Sequence, residues 1–513
     1  MGMLKNNKIF KTSDLRKLDE YTIENEPVTS LNLMERAATV FTEKLLIFFP
    51  NSHIFNILAG SGNNGGDGYA VARLLHEKGM AVKVFGLHED DRLSPDCVVN
   101  RKRFIEGGGH YIGVKEANNL YLDENAVLVD AILGAGLNRS VSGFLGEIIH
   151  RVNHLSNPVV AIDIPSGLMG EDNGNNDGAI IEADYTFTFQ FPKLAFMFPE
   201  NEHYVGRWEV LDIHLHPTIL QECSSSYYCL TEDAVASRLL IPGKFSHKGT
   251  LGNALLIAGS YSMMGAAVLS AKGAIRSGTG LLSVHVPRKL KEVIHLSVPE
   301  ALVEEDQDDL CFSGIDCLSR FQAIGIGPGI GTSPVTARGL RELLSEWKGK
   351  IVLDADALNL LAADPGLLEI LPKKAVLTPH LKEFERLAGK SANDFDRLNK
   401  LSTFASLHQV YVVLKGAHTV IASPGGECYF NMTGNPGMAK GGSGDVLTGI
   451  IAALLASGHA PLDAALVGVY AHGLAGDYAA EMQGMRGTRA GDIADKLGLV
   501  WKKMETYNIA KQR

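Results

Sequence analysis

The chain has 513 residues, enough for two or more domains that each bury a core. Apolar residues make up 45% and charged residues 21%, which excludes a disordered or fibrous chain. A formal net charge of −10 argues against a dedicated nucleic-acid binder, although helix N-termini can still bind phosphate.

The N-terminal segment MGMLKNNKIFKTSDLRKLDE lacks the apolar run of a signal peptide. Next, Leu31, Met34, Ala38, Phe41 and Leu45 recur at helical spacing. HIFNILAG (53–60) predicts a buried strand ending in glycines, and YAVARLLHEKG (69–79) a helix stopped at Gly79. AVKVFGL, AVLVDAIL and PVVAIDIP predict further buried strands, the pattern of a parallel sheet covered on both faces. ADYTFTFQF and RWEVLDI read as closing strands. The polar stretch HPTILQECSSSYY (216–228) breaks the rhythm and predicts a boundary between residues 1–220 and 228–513. A second α/β pattern follows. NALLIAGS, LLSVHVP, FQAIGIGPG, KIVLDADAL, AVLTPH and VYVVLKG read as strands, and GAAVLSAKGAIRSG and DVLTGIIAALLASG as helices. The longest uncharged stretch, 249–271, is broken by Gly, Ser, Asn and Thr, so no membrane span is expected. Cys97, Cys223, Cys229, Cys311, Cys317 and Cys428 include no CxxC pair. Free thiols and a cytoplasmic location are expected, with neither disulfides nor a zinc site.

Three polar clusters fall at predicted strand ends, where parallel α/β sheets bind ligands. The first, GSGNNGGDGY (60–69), carries a formal GxGxxG at Gly60, Gly62 and Gly65, a weak dinucleotide signal by itself. A turn explains its glycines but not Asn63, Asn64 and Asp67, with Asp67 expected where the helix begins. The second is Asp130 with the Gly-rich run behind it. The third is Asp163 with Ser166. Any one of these acids, taken alone, reads equally well as a helix cap.

In the second half, KGGSGDVLTGIIAALL (440–455) is the sharpest motif. Gly441, Gly442 and Gly444 let backbone N–H groups converge at a helix N-terminus, a site for a phosphate or a developing anion. Asp445 sits where a carboxylate can take a proton from a hydroxyl. The plainer reading is an acid favoured by the helix dipole. No GxxxxGK[ST] occurs, so nucleotide binding needs another geometry. KGAHT (415–419) is either a nucleotide-holding strand end or a hairpin turn.

NNGGDG (63–68), DAILGAGLNR (130–139), AIDIPSGL (161–168) and LMERA (33–37) together resemble the NAD(P)H-hydrate epimerase domain over roughly residues 10–215. The resemblance implies a Rossmann-like three-layer α/β/α domain and a potassium ion held by Asn64, Asp130 and Ser166. It implies contacts to a hydrated dinucleotide from Asn63, Asn64, Gly65, Gly66, Asp67, Gly134, Ala135, Gly136, Leu137, Asn138, Arg139, Ser140 and Asp163. Asp163 is then the expected general acid/base, because epimerising a hydroxyl-bearing ring carbon needs proton transfers.

HKGTLGNALLIAGS, MGAAVLSAKGAIRSGTGL, GIGPGIG, LDADALN, LTPH, KGAHT and GNPGMAKGGSGD span roughly 240–500. They resemble the ADP/ATP-dependent NAD(P)H-hydrate dehydratases of the ribokinase-like superfamily. This implies nucleotide contacts at Lys415, Gly416, Ala417, His418, Thr419 and Gly444. It implies substrate contacts at Ala266, Gly327, His380 and Asp445, with Asp445 catalytic and magnesium as a cofactor of this domain. The expected substrates are NADHX and NADPHX with ADP, ADP because the fused order resembles the bacterial arrangement. A homo-oligomer is also expected. One departure stands out: the family reads His-x-Gly-Glu where this chain has His380-Leu381-Lys382-Glu383, which predicts an altered loop. The rival readings are a small-molecule kinase, a first domain without catalysis, and a Rossmann dehydrogenase.

Overall fold

The computed structural model describes residues 8–88 and 92–512, the last few by backbone alone. The chain forms two compact units divided between Tyr227 and Tyr228, with the short Asn393–Phe395 segment grouping with the first.

The first unit is built on seven parallel strands: β1 (Ile54–Ala59), β2 (Ala81–Gly86), β3 (His110–Gly113), β4 (Val127–Ala131), β5 (Val159–Ile162), β6 (Tyr185–Phe189) and β7 (Arg207–Leu211). Their spatial order is β3-β2-β1-β4-β5-β6-β7. The inner strands are buried on both faces, which is why β5 reads as an unbroken apolar run and β4 as one broken only by Asp130. Phe41, Tyr69 and Phe187 pack in one apolar layer, and Leu128, Ile148 and Ile149 in another. The order reverses between β1 and β4, so the loops after these strands diverge and open a crevice. β3 gives no strong sequence signal, because its residues are half-buried or exposed.

One expectation is corrected. The helix after β1 starts at Asn63 and runs to Glu77, so Asp67 lies one turn inside it and not at its start. Most of the glycines serve close packing. A Cβ on Gly65 would lie 2.0 Å from the Gly60 carbonyl oxygen, and one on Gly68 would lie 2.6 Å from the Ala131 Cβ.

The second unit's sheet contains β8 (Asn253–Ile257), β9 (Leu281–Val286), β10 (Leu302–Glu305), β11 (Ala323–Ile326), β12 (Lys350–Leu353), β13 (Val376–Leu377), β14 (Tyr411–Leu414), β15 (Val420–Ala422) and β16 (Cys428–Phe430). Spatially they follow as β16-β15-β14-β13-β12-β11-β8-β9-β10. Strands β8 to β14 are parallel, and β15 and β16 add on antiparallel. The helix Ser443–Ala456 is almost wholly buried, as its largely apolar sequence after Asp445 requires. It crosses the helix Met264–Ile275 nearly backbone to backbone: a Cβ on Gly449 would lie 1.9 Å from the Ser270 carbonyl oxygen. The stretch 216–228, read as an irregular link, contains a short helix, Pro217–Glu222, whose N-terminus His216 caps.

Candidate active sites

In the first unit the ends of β1, β4 and β5 meet around Asp130. This carboxylate is fully buried. Its oxygens accept from the Ser166 N–H at 2.7 Å, the Ser166 hydroxyl at 2.5 Å and the Ile132 N–H at 3.2 Å. Burial pushes its carboxyl up to about 6 despite these donors. Asn64 joins the group by donating to the Leu133 carbonyl at 3.0 Å, and the Leu133 N–H donates to Ser166 Oγ at 2.8 Å. The structure therefore brings Asn64, Asp130 and Ser166 to one point. The set is rich in oxygen donors and holds one carboxylate with no cationic side chain bonded to it, which suits a hard monovalent cation.

Beside them lies a cavity of about 1020 Å³. Asn63, Asn64, Asp67, Gly134, Ala135, Gly136, Leu137, Asn138, Arg139 and Asp163 line it, whereas Gly65, Gly66 and Ser140 do not. Gly65 backs onto Gly60, and Gly66 faces Met34. Leu15, Leu33, Met34, Phe191 and Ile213 give the opposite wall an apolar surface.

Asp163 follows β5 with φ +67°, a left-handed conformation that Asp tolerates better than most residues. It caps no helix. Its Oδ1 accepts from Lys193 Nζ at 2.6 Å, the Phe189 N–H at 3.0 Å and the Thr188 hydroxyl at 3.1 Å. Two further acids line the cavity. Burial and the neighbouring Asp163 push Asp67 well above the usual carboxylate range and Asp19 up to about 6. Asp19 and Lys193 were missed by sequence reasoning. Asp19 sits in the helix Thr12–Asn25 among other charged residues, and Lys193 follows a run of aromatics, so neither carries a motif.

In the second unit the ends of β11, β12 and β14 meet the N-terminus of the helix Ser443–Ala456. Asp354, at the end of β12, is buried and pairs with Lys415 Nζ at 2.6 Å, while its other oxygen accepts from the Thr448 hydroxyl at 2.7 Å. The motif LDADALN contains Asp354, but nothing in the sequence marks it as the partner of Lys415. A Cβ on Gly444 would lie 3.2 Å from Lys415 Nζ, so this glycine keeps room for the lysine. Gly442 takes φ +92° and turns the chain into the helix, and the Ser443 N–H donates back to the Lys440 carbonyl at 3.4 Å. Lys440 donates to the Arg486 and Thr488 carbonyls and pins this turn from outside. Buried His472 is pushed down to about 4 by desolvation. Because it is neutral and a carbonyl only accepts, its Nε2–H donates to the Ser443 carbonyl at 2.9 Å.

Asp445 stands in the first turn. Burial, then the nearby Asp354 charge, push its carboxyl up to about 6. Gly327 has φ +130° and packs on the Asp354 carbonyl; Ala266 lies against Gly329, two residues on. His380 bridges in parallel to Lys415 across the sheet, which brings it to the same edge. Gly416, Ala417, His418 and Thr419 form the turn between antiparallel β14 and β15, so the hairpin reading of KGAHT holds for the backbone. The backbone at Lys382 needs no glycine. Lys382 is an exposed residue in the helix Leu381–Ala388, and His380 with Glu383 forms a complete capping box. Helical angles suit Lys as well as Gly. We therefore expect Lys382→Gly to lower stability by about 1 kcal/mol or less, as thermal denaturation would show, and to leave the site intact.

These features define a two-site α/β enzyme, with a Rossmann-like unit followed by a ribokinase-like one. A family model described as NAD(P)H-hydrate dehydratase matches residues 254–498, and one described as YjeF-related protein N-terminus matches 30–195. The bifunctional NAD(P)H-hydrate repair enzyme of Moorella thermoacetica is 36% identical, with 96% of each chain covered. That of Escherichia coli is 32% identical, covering 95% of this chain and 93% of its own. A ribokinase-like superfamily protein from Enterococcus faecalis, solved by crystallography, aligns at 28% identity with a TM-score of 0.50, covering 55% of this chain and 98% of that one. The chain belongs to the family of bifunctional NAD(P)H-hydrate repair enzymes.

Proposed function

We propose that the first unit interconverts the R and S epimers of NADHX and NADPHX, and that the second dehydrates the S epimer with ADP, giving NAD(P)H, AMP and phosphate. The observation that carries this reading is the presence, in one chain, of two unlike sites. One is an acid-lined cavity holding a Lys–Asp pair, and the other is a Gly-rich helix N-terminus bearing an acid. In the hydrate, the hydroxyl-bearing carbon is bonded to the ring nitrogen. The nitrogen lone pair expels the hydroxyl as water once an acid protonates it, leaving a planar iminium. Water then adds to the other face and gives a proton to a base. Asp163 is the base in this reading, and Asp67 or Asp19 supplies the acid.

At the second site Asp445 takes the proton of the ring hydroxyl as its oxygen attacks the terminal phosphorus of ADP, releasing AMP. The nitrogen lone pair then expels the phosphate, and loss of a proton from the neighbouring ring carbon to the departing phosphate or to water restores the ring double bond. Phosphate leaves more readily than hydroxide, which is why a kinase-like fold suits a dehydration. Gly444 and the first-turn N–H groups would stabilise the transferring phosphoryl, while Lys415 to Thr419 would hold the nucleotide. Magnesium would enter on the nucleotide's phosphates and neutralise their charge, its usual mode in phosphoryl transfer. Potassium would sit on Asn64, Asp130 and Ser166, offset the buried Asp130 charge and tie three strand-end loops together. No helix of the described residues is long and apolar enough to cross a membrane.

The direct test mixes purified protein with epimerically mixed NADHX and ADP or ATP and follows recovery of dihydronicotinamide absorbance. Recovery with neither nucleotide sinks the dehydration reading. Two further results are expected. Exchanging potassium for tetramethylammonium should slow epimerisation and spare dehydration, and an unchanged epimerisation rate would count against the cation site. With S-NADHX and ADP, dehydration should be half-maximal at about pH 6, level roughly a unit above it and fall toward tenfold per pH unit below it, because burial pushes the Asp445 carboxyl up to about 6 and only its ionised form accepts a proton. A profile flat down to pH 5 would remove Asp445 from the role of base.

A further inference from the structure

The loop that leads into the helix Ser443–Ala456, residues 433–442, is docked on the helix Pro461–Gly487. Asp477 grips the start of the loop. One of its oxygens accepts from the Gly434 N–H and the other from Asn435 Nδ2, both at 2.9 Å. Two glycines let the helix come close. A Cβ on Gly473 would lie 2.2 Å from Thr433 Oγ1, and one on Gly476 would lie 2.1 Å from Met438 Sδ. His472, from the same helix, reaches past the other end of the loop. Its ring is buried, with Nε2 2.9 Å from the Ser443 carbonyl oxygen and 3.3 Å from Ser443 Oγ. A carbonyl only accepts, so Nε2 carries the proton. The Ser443 carbonyl and the Gly444 N–H are the two ends of one planar peptide unit joined by resonance. That N–H is one of the first-turn donors that no carbonyl of its own helix can reach.

We propose that His472 is a positioning residue of dehydration that acts through the Ser443–Gly444 peptide. Its Nε2–H fixes the plane of that peptide and polarises it, so that the Gly444 N–H is held toward the transferring phosphoryl as a stronger donor. The inference rests on reading this site as the dehydration site. Its physical ground is cooperativity. A hydrogen bond donated to a carbonyl draws electron density away from the amide nitrogen, and hydrogen bonds chained in this way strengthen one another. A donor that stabilises a transition state must also be in place before the charge develops. The end of a helix is its least restrained part, and a side chain from a second helix supplies the missing restraint. Desolvation and then the Lys415 charge hold the imidazole neutral, so it contributes a fixed dipole and no cation of its own to compete for phosphate.

The test uses the full chain with S-NADHX and ADP. His472→Leu should lower kcat about tenfold and leave the KM for ADP within about threefold, because what is lost acts where charge develops. His472→Gln carries an amide N–H able to stand where Nε2–H stands, and it should stay within about threefold of wild type. His472→Asn is one carbon shorter and should be as slow as His472→Leu. The Gln and Asn pair decides the matter if the leucine variant fails to fold. A second readout addresses the peptide itself. Labelling serine carbonyl carbon and glycine nitrogen selects the Ser–Gly peptides by NMR, and loss of a signal in Ser443→Ala assigns the one at 443–444. The Gly444 amide proton should move upfield in His472→Leu and keep its position in His472→Gln. A folded leucine variant within about threefold of wild type, a loss seen only in KM, equal rates for Gln and Asn, or an unmoved Gly444 amide overturns the proposal. If the wild type recovers no dihydronicotinamide with ADP, the reading of the site falls and this proposal with it. If the wild type is active and any of those results is obtained, this proposal alone falls.

Discussion

Asp445→Asn is expected to lower dehydration of S-NADHX by about 10²–10⁴-fold, the range for loss of a general base, while epimerisation continues at the wild-type rate. The substitution keeps the shape of the side chain and removes its basicity. The fold should tolerate it, because Asp445 is raised by its own burial and by the Asp354 charge; an uncharged amide relieves both penalties. What the helix loses is one favourable charge–dipole contact, worth about 0.3–1 kcal/mol. The thermal midpoint should therefore move little. Asp354 and Lys415 keep each other's charge satisfied whatever stands at 445, so the ion pair beneath the site survives. Near-normal dehydration in this variant would sink the assignment of the second site.

Asp163→Asn should remove epimerisation and spare dehydration, because the two sites stand on separate sheets. With mixed NADHX and excess ADP the wild type should convert both epimers. The variant should consume the S epimer and then stall with the R epimer left over, apart from slow spontaneous exchange. The sequence offered a plain alternative, in which Asp163 caps a turn and Asn replaces it at little cost. The structure removes that alternative and substitutes another. Asp163 neutralises buried Lys193, and breaking a buried pair costs roughly 3–5 kcal/mol. A lower thermal midpoint is thus expected together with the lost activity. Circular dichroism at the assay temperature distinguishes an inactive folded unit from an unfolded one. A folded variant that still consumes both epimers at the wild-type rate would make Asp163 structural.

Much of the architecture is legible in the chain because parallel strands buried on both faces are apolar at nearly every position. β1, β4, β5, β11 and β12 all announce themselves in this way. β3 does not, because an edge strand with half-exposed residues carries neither a continuous run nor a clean alternation. The first glycine cluster was legible in kind but not in use. Glycine marks both a turn and a place where a helix lies hard against a strand. Only the contacts of Gly65 with Gly60 and of Gly68 with Ala131 separate the two. Lys382 shows the reverse error. A family glycine suggests a special backbone angle, yet the position lies in an ordinary first helical turn.

The sequence by itself determined two parallel α/β units, the acids that follow their strands, and the glycine turn before Asp445. All of these are set by local pattern: strand period, turn chemistry and the helix start. Tertiary structure alone decided the partners. Lys193 reaches Asp163 from 30 residues away, and Lys415 reaches Asp354 from 61. Asp19 enters the cavity from a helix with no motif of its own. The physical reason is that a charge declares its role only through burial and through its neighbours. Layers of sheet and helix assemble those neighbours from segments that no local pattern connects.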